Sequence, residues 1–493
     1  MHHVSPRNLL YSMTAPLLGV LSAMFVWLTA QVGEYAVLDD YRMVTAVKVM
    51  RPFVIEGHAT TEFNTGRVVP ALLFDVVWSG VNSIDDLWYV RLLGFLVVGV
   101  TVVHVQSWII RSVRLTSSFS RIAIGITSFL VMLLPCVAAT TTWAQKSTQL
   151  LALPFAMSAG ILASTEWAPK WRWPAVMLLI LLSAFTYQHF TPIAVFPVLV
   201  SAATRSTAIS LEYLRRIAGV IGCVLVSLVA NLVFVRNVAP DVLERIEGRT
   251  LSNRLAEFIN VLAKAVHLQV DKDPQLLALS LLLVVLLFTI CVITRRSATL
   301  LAALVLIASV ISAGVTIGGD GDSSYRMTFP TQIVFWLGVG CLAAFALAEE
   351  QGRLSRTLKV TILGLLVIVA AILSADGSNT LGKRISIANA TDLANMKCQI
   401  QNLNGDDLPE VVIVKLSSPR VGAGQEVASE IGLLASNVEW VVRDQWNALV
   451  SESPNFQDLS EIRLVFIESG DALPPAEQSP IVIDSSLSCQ INS

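Results

Sequence analysis

Long apolar runs joined by short polar links fill most of this chain. They lie at roughly 9–31, 90–110, 122–140, 148–164, 174–188, 192–204, 217–235, 276–294, 297–317, 328–348 and 358–375. Runs approaching the ~20 residues needed to cross a hydrocarbon core predict membrane-spanning helices. A further run at 67–81 is shorter and carries Asp75. Arg and Lys placement decides whether it crosses. If it does not, the links after even-numbered helices hold Arg111, Arg114 and Arg121; Lys170 and Arg172; Arg205, Arg215 and Arg216; Arg295 and Arg296; and Arg353, Arg356 and Lys359. The opposite short links carry only Lys146 and Arg326. The positive-inside rule then predicts a surface helix over 67–81, about eleven crossings and a cytoplasmic amino terminus. The first run is too long for a signal-peptide core and reads as a retained helix.

The same topology puts three polar segments outside: a first loop (33–88), an amphipathic stretch (237–275) and the tail. The tail alternates strand-like runs (410–416, 439–442, 462–468, 480–484) with helical stretches near 391–403 and 423–436. That alternation predicts a small α/β domain. The expected fold is an α-helical polytopic membrane domain over 1–375 with an extracytoplasmic α/β domain over 376–493.

Composition agrees with the pattern. Hydrophobic residues make up 54% and charged ones 14% of the 493 residues, against about 25% charged in soluble domains. A formal net charge of −2 gives no footprint for nucleic acid. Cys136, Cys223, Cys291 and Cys341 sit in apolar runs and read as inert core thiols. Cys398 and Cys489 lie in the tail and are the disulfide candidates if it faces an oxidising compartment. "NAT" at 389–391 matches a glycosylation sequon, a three-residue match that chance accounts for more simply.

Chemistry-bearing residues gather at the outward turns. Asp39 and Asp40 stand where the first helix leaves the membrane, and adjacent carboxylates repel, which raises one pKa as suits a general base. Arg67 opens the surface helix, Lys146 follows "TTWAQ", and "TYQHF" presents Tyr187, Gln188 and His189. "GGDGDSSYRM" holds Asp320, Asp322, Tyr325 and Arg326. Each alone is an ordinary solvated turn residue. Together, carboxylates and cations at one depth suit acid–base chemistry beside an anion. A sugar carried on a lipid phosphate fits: a carboxylate deprotonates an acceptor hydroxyl, and Arg or Lys neutralises the phosphate that leaves.

These motifs resemble the GT-C membrane glycosyltransferases, and among them the bacterial and phage O-antigen glucosyltransferases of the Gtr type. The resemblance rests on "DDYR" (Asp39, Asp40, Tyr41, Arg42), "GRVVP" (66–70) in place of a Gly-Arg-Pro helix, "YQHF" (187–190) and "SYRM" (324–327). "ISIANATDLANMKCQI" (385–400) is similar to the helix that follows the last span of that family. The resemblance implies inverting transfer of a sugar, glucosyl first, from polyprenyl phosphate to a lipid-linked or cell-wall glycan. It implies a bacterial inner membrane setting with the active site outside. Asp40 or Asp39 would be the base, and Arg326, Lys146 and Arg67 would contact the donor phosphate. Tyr187, Gln188, His189, Tyr325 and Arg42 would hold sugar or acceptor hydroxyls. Related enzymes transfer arabinofuranose or mannose from similar lipids.

Two other classes compete. A flippase or transporter of polyprenyl-linked glycans would keep charges near the bilayer midplane, whereas these sit at the outer ends of the spans. A membrane scaffold with a sensory tail leaves the outer charges without a role. Asp320 and Asp322 could hold a divalent cation such as Mg or Mn, but a flexible acidic turn accounts for them more simply.

Overall fold

The computed structural model describes residues 6–31, 35–37, 39–47, 58–113, 115, 117–166, 169–205, 210–241, 250–266, 274–294, 296–318, 325–348, 356–378, 385–401, 411–415, 439–452, 463–467 and 481–484. Helix α1 (Pro6–Ala30) is followed by three shorter helices, α2 (Asp39–Val47), α3 (His58–Asn64) and α4 (Val68–Trp78). Then come α5 (Leu87–Val113), α6 (Ser118–Met132), α7 (Pro135–Thr142), α8 (Ala152–Ser164), α9 (Pro169–Tyr187), α10 (Val195–Arg205) and α11 (Leu211–Val238). After α12 (Leu251–Ala265) the chain forms α13 (Pro274–Thr294), α14 (Arg296–Gly318), α15 (Tyr325–Ala346) and α16 (Arg356–Ser378). The tail contributes α17 (Ala388–Gln401), β1 (Val411–Lys415), α18 (Glu439–Glu452), β2 (Arg463–Ile467) and β3 (Ile481–Asp484).

Among the described residues, seven helical stretches are long and apolar enough to cross a membrane, and the bent pair α6–α7 makes an eighth. The protein is a multi-pass α-helical membrane protein. Helix α4 has 11 residues, about 16 Å of helix against a core of about 30 Å, so the run at 67–81 is too short to cross. It buries Pro70, Ala71, Phe74 and Trp78 along one side and leaves Leu72 and Val76 exposed.

Close backbone contact ties α1 to α6. A Cβ built on Gly19 would lie 2.1 Å from the carbonyl of Gly125, so this crossing admits no side chain there, as in other small-residue contacts between spanning helices. The break between α6 and α7, a bend of 49°, falls before Pro135, which has no N–H to donate. The next amide, that of Cys136, donates to Gln332 Oε1 at 3.3 Å, and Gln332 Nε2 donates to the Lys264 carbonyl at 2.6 Å. One buried amide side chain on α15 thus satisfies the broken span and the end of α12.

The stretch from Lys170 to Thr204 doubles back. Arg172 donates to the Thr165 carbonyl and Ser183 to that of Ala152, so α9 runs antiparallel to α8. Gly160, near the end of α8, then meets Ala194 and Pro197. The chain has therefore reversed within the 3-10 segment Gln188–Ala194, and α10 returns beside α8. At that far end Arg216 caps the carbonyls of Ser164 and Thr165, and Arg121 covers the ring of Tyr11. One end of the bundle is thus rich in Arg, and the other receives α2, α3 and α4.

The tail strands form a parallel sheet in the order β2-β1-β3, with Val412 opposite Leu464 on one side and Ile481 on the other. The strand expected at 439–442 is instead the first turn of α18. Val441, Val442, Gln445, Trp446 and Leu449 are buried at helical spacing, and a four-residue apolar run cannot distinguish the two periods. The helix expected at 423–436 lies outside the described residues. Helix α18 packs on α2 of the membrane domain, where Gln445 Nε2 donates to the Tyr41 hydroxyl at 3.3 Å. Burial, with Asp392 nearby, pushes the Tyr41 phenol well above its ordinary range.

Candidate functional site

Asp40 is fully buried, at 0% exposure. Its Oδ1 accepts the amide of Gln145 at 3.0 Å, and its Oδ2 accepts those of Val37 at 3.2 Å and Ala144 at 3.3 Å. Arg91, one turn into α5, lies 3.7 Å from the same Oδ2. The Arg91 guanidinium also donates to the Tyr35 carbonyl and covers the Tyr35 ring at 3.7 Å. Burial pushes the Asp40 carboxyl up to about 6, against the pull of Arg91 and of the three amides. The amides of Ala144 and Gln145 open the 3-10 turn Ala144–Lys146. Asp40 therefore holds in place the turn that carries Lys146. The Lys146 ammonium, itself buried, stands 4.8 Å from the centre of the Trp143 ring.

A second buried carboxylate grips the same segment from α3. Glu62 accepts Gln145 Nε2 at 3.3 Å and Gln149 Nε2 at 3.0 and 3.1 Å. Its Oε2 also meets the Arg67 guanidinium at 3.2 Å. Residues 143–149 are thus held on the backbone side by Asp40 and on the side-chain side by Glu62.

Gly66 sets where Arg67 goes. Its φ is +80°, a left-handed conformation costly for any side chain. A Cβ there would lie 2.8 Å from both amide atoms of Asn231 and from Val235. Asn231 Nδ2 donates to the Gly66 carbonyl at 2.8 Å and to the Ala184 carbonyl at 3.2 Å, binding the loop to α11 and α9. Arg67 emerges from this turn with its guanidinium 5.1 Å from the centre of the Tyr187 ring. The Tyr187 ring in turn lies tilted against that of His189, at 5.0 Å between centroids, and its hydroxyl meets Met327 Sδ.

The structure therefore brings Asp40, Lys146, Arg67, Tyr187 and His189 to one end of the bundle. Gln188 Oε1 and Ser147 Oγ are buried there without a hydrogen-bond partner among the described residues, and two such groups are costly unless something meets them. Arg42 is exposed on α2. The backbones of Asp39, Tyr325 and Arg326 are helical, in the first turns of α2 and α15, but their side chains lie outside the described residues. Asp320, Asp322 and Cys489 lie outside them altogether. Among the described residues no group of three or more His, Cys, Asp or Glu is placed to hold a metal ion. Cys398 is disulfide-bonded. Asn389 of the sequon is buried and donates to the Ile385 carbonyl, so it offers no surface for a glycan.

Sequence reading passed over Glu62, Arg91, Gln145, Gln149 and Asn231. A Glu in "HATTEFN" and an Arg in "WYVRLLGF" look like ordinary polar residues near helix ends. The one available signal was that Arg91 falls inside a spanning run, where an ionisable residue calls for a partner. The chain matches no protein-family model, and comparison with curated proteins returns no match.

Proposed function

We propose that the protein is a membrane glycosyltransferase of GT-C type that moves a sugar, glucosyl first, from a polyprenyl-phosphate donor to a cell-envelope glycan. The carrying observation is the arrangement around residues 143–149. Two buried carboxylates of the first loop hold the segment bearing Lys146, while Arg67 stands over Tyr187 beside it. Cations fixed in advance at a buried site can meet a lipid phosphate and stabilise it as it leaves. Gln188 Oε1 supplies a group to meet a sugar hydroxyl.

In this reading the base is Asp39. Asp40 is closed off, with three amides and Arg91 around its two oxygens, and a carboxylate has about four acceptor sites. The role of Asp40 is to position Lys146. Asp39 deprotonates the acceptor hydroxyl, the hydroxyl oxygen bonds to the anomeric carbon, and the carbon–oxygen bond to phosphate breaks with inversion. Arg67, Lys146 and Arg326 take up the phosphate charge. The topology that goes with it has about eleven crossings. These are the eight stretches described above, one more for the doubled Lys170–Thr204, and the long apolar helices α13 and α14. The Arg-rich end faces the cytoplasm of a bacterial inner membrane, and the tail faces outward.

The test is transfer by protein reconstituted in proteoliposomes. Polyprenyl-phosphate-linked glucose, mannose and arabinofuranose would be offered with an envelope glycan. Asp39→Asn should lower kcat by about 10²–10⁴-fold with an unchanged thermal midpoint, whereas Asp40→Asn should lower activity and stability together. Absence of transfer from all three donors would refute the proposal and favour a transporter.

A further inference from the structure

We infer that Glu62 is a positioning residue that sets both donor-facing cations in place before the lipid arrives, an inference that rests on the polyprenyl-phosphate reading of this site. Glu62 is buried, 3% exposed, on the short helix α3. Its carboxylate joins two parts of the chain far apart in sequence: Arg67, through Oε2, and the Gln145–Gln149 segment, through both oxygens. Its main chain completes the link, since the Arg67 amide donates to the Glu62 carbonyl at 2.9 Å. The turn through Gly66 is therefore closed on itself at both backbone and side chain.

Electrostatics alone would give Glu62 the opposite effect. A carboxylate 3.2 Å from Arg67 offsets part of the charge offered to a phosphate. Two features make position outweigh that loss. Arg67 is a long side chain that is 21% exposed, so its charge is partly screened by solvent, and its rotamer freedom is large unless something holds the fork. In addition, Glu62 receives the amides on either side of Lys146, so its removal loosens the second cation as well. Glu62 does not act as a base in this scheme, because its oxygens already receive two glutamine amides and a guanidinium. In Glu62→Gln one oxygen becomes an NH₂ that faces these donors, so the clamp opens without change of size.

The probe is polyprenyl monophosphate, with no sugar attached, titrated onto the full-length protein in nanodiscs. Unphosphorylated polyprenol serves as the second ligand. Wild type should bind the phosphate, and Glu62→Gln should bind it about tenfold or more weakly, with polyprenol affinity unchanged. Glu62→Asp should recover part of the loss. If Glu62 acts through Arg67, then Glu62→Gln added to an Arg67→Gln background should cost much less than it does in wild type. Equal or tighter phosphate binding by Glu62→Gln, or full additivity with Arg67→Gln, overturns the role of Glu62 and leaves the site reading intact. A wild type that binds polyprenol and its phosphate equally overturns the site reading itself. An unfolded Glu62→Gln is recognised by its lost polyprenol binding, and Glu62→Asp then decides: phosphate affinity reduced with polyprenol affinity kept supports the role, and affinity equal to wild type overturns it.

Discussion

Replacing Gly66 by Ala perturbs the site without touching any ionisable group. Two costs follow from the geometry. A side chain at φ +80° is penalised by about 1–2 kcal/mol relative to Gly. The new methyl would also sit 2.8 Å from both amide atoms of Asn231 and from Val235 Cγ2. Asn231 would have to move, straining its 2.8 Å hydrogen bond to the Gly66 carbonyl, worth about 1 kcal/mol. The expected loss is about 2–3 kcal/mol, read by equilibrium unfolding of the detergent-solubilised protein in SDS. Gly364→Ala on α16 is the internal control. Nothing lies within 4 Å of a Cβ built there, so helix propensity alone should stabilise it by a fraction of a kcal/mol. Combining Gly66→Ala with Asn231→Ala should cost less than the two singles summed, because the amide that the methyl meets is gone. A Gly66→Ala protein as stable as wild type would refute the account of this turn and, with it, of how Arg67 is aimed.

Two further outcomes are expected. With a folded pKa of about 6 against about 3.9 when unfolded, Asp40 binds more protons in the native state between these values. Its contribution is therefore fully present below pH ~4 and lost as pH rises through ~6, by about 3 kcal/mol. The stability difference between wild type and Asp40→Asn should fall across that window, and a flat difference would show that Asp40 is not desolvated as described. Gln332→Leu leaves the Cys136 amide and the Lys264 carbonyl buried without their partner. It should cost about 2–5 kcal/mol and speed hydrogen exchange at residues 136–138, and a loss under about 0.5 kcal/mol would contradict the bridging role.

Much of the site was legible as composition and little of it as connection. Asp39, Asp40, Arg67, Lys146 and the Tyr187–His189 turn stand out because charged or hydrogen-bonding groups at the ends of apolar runs are conspicuous. Their partners are not. Asp40 meets Arg91 from α5 and amides more than 100 positions away, and neither spacing nor periodicity links them. Glu62 sits in a short polar helix that reads as loop. The strand expected at 439–442 failed for a related reason: four apolar residues fit either period until Trp446 and Leu449 show which face is buried.

What the sequence alone determined is the solvent each segment requires. Apolar runs of bilayer length form helices because an unpaired peptide group is too costly in lipid. The short run at 67–81 follows the same rule, and alternation in the tail leads to its strands. Tertiary structure alone decided which polar groups face one another. It placed Asp40 and Glu62 on opposite sides of one segment, turned Gly66 against Asn231 and set Gln332 into the broken span. The physical reason is that membrane partitioning depends on each residue's own transfer cost, whereas buried hydrogen bonds depend on distances that only the packed helices set.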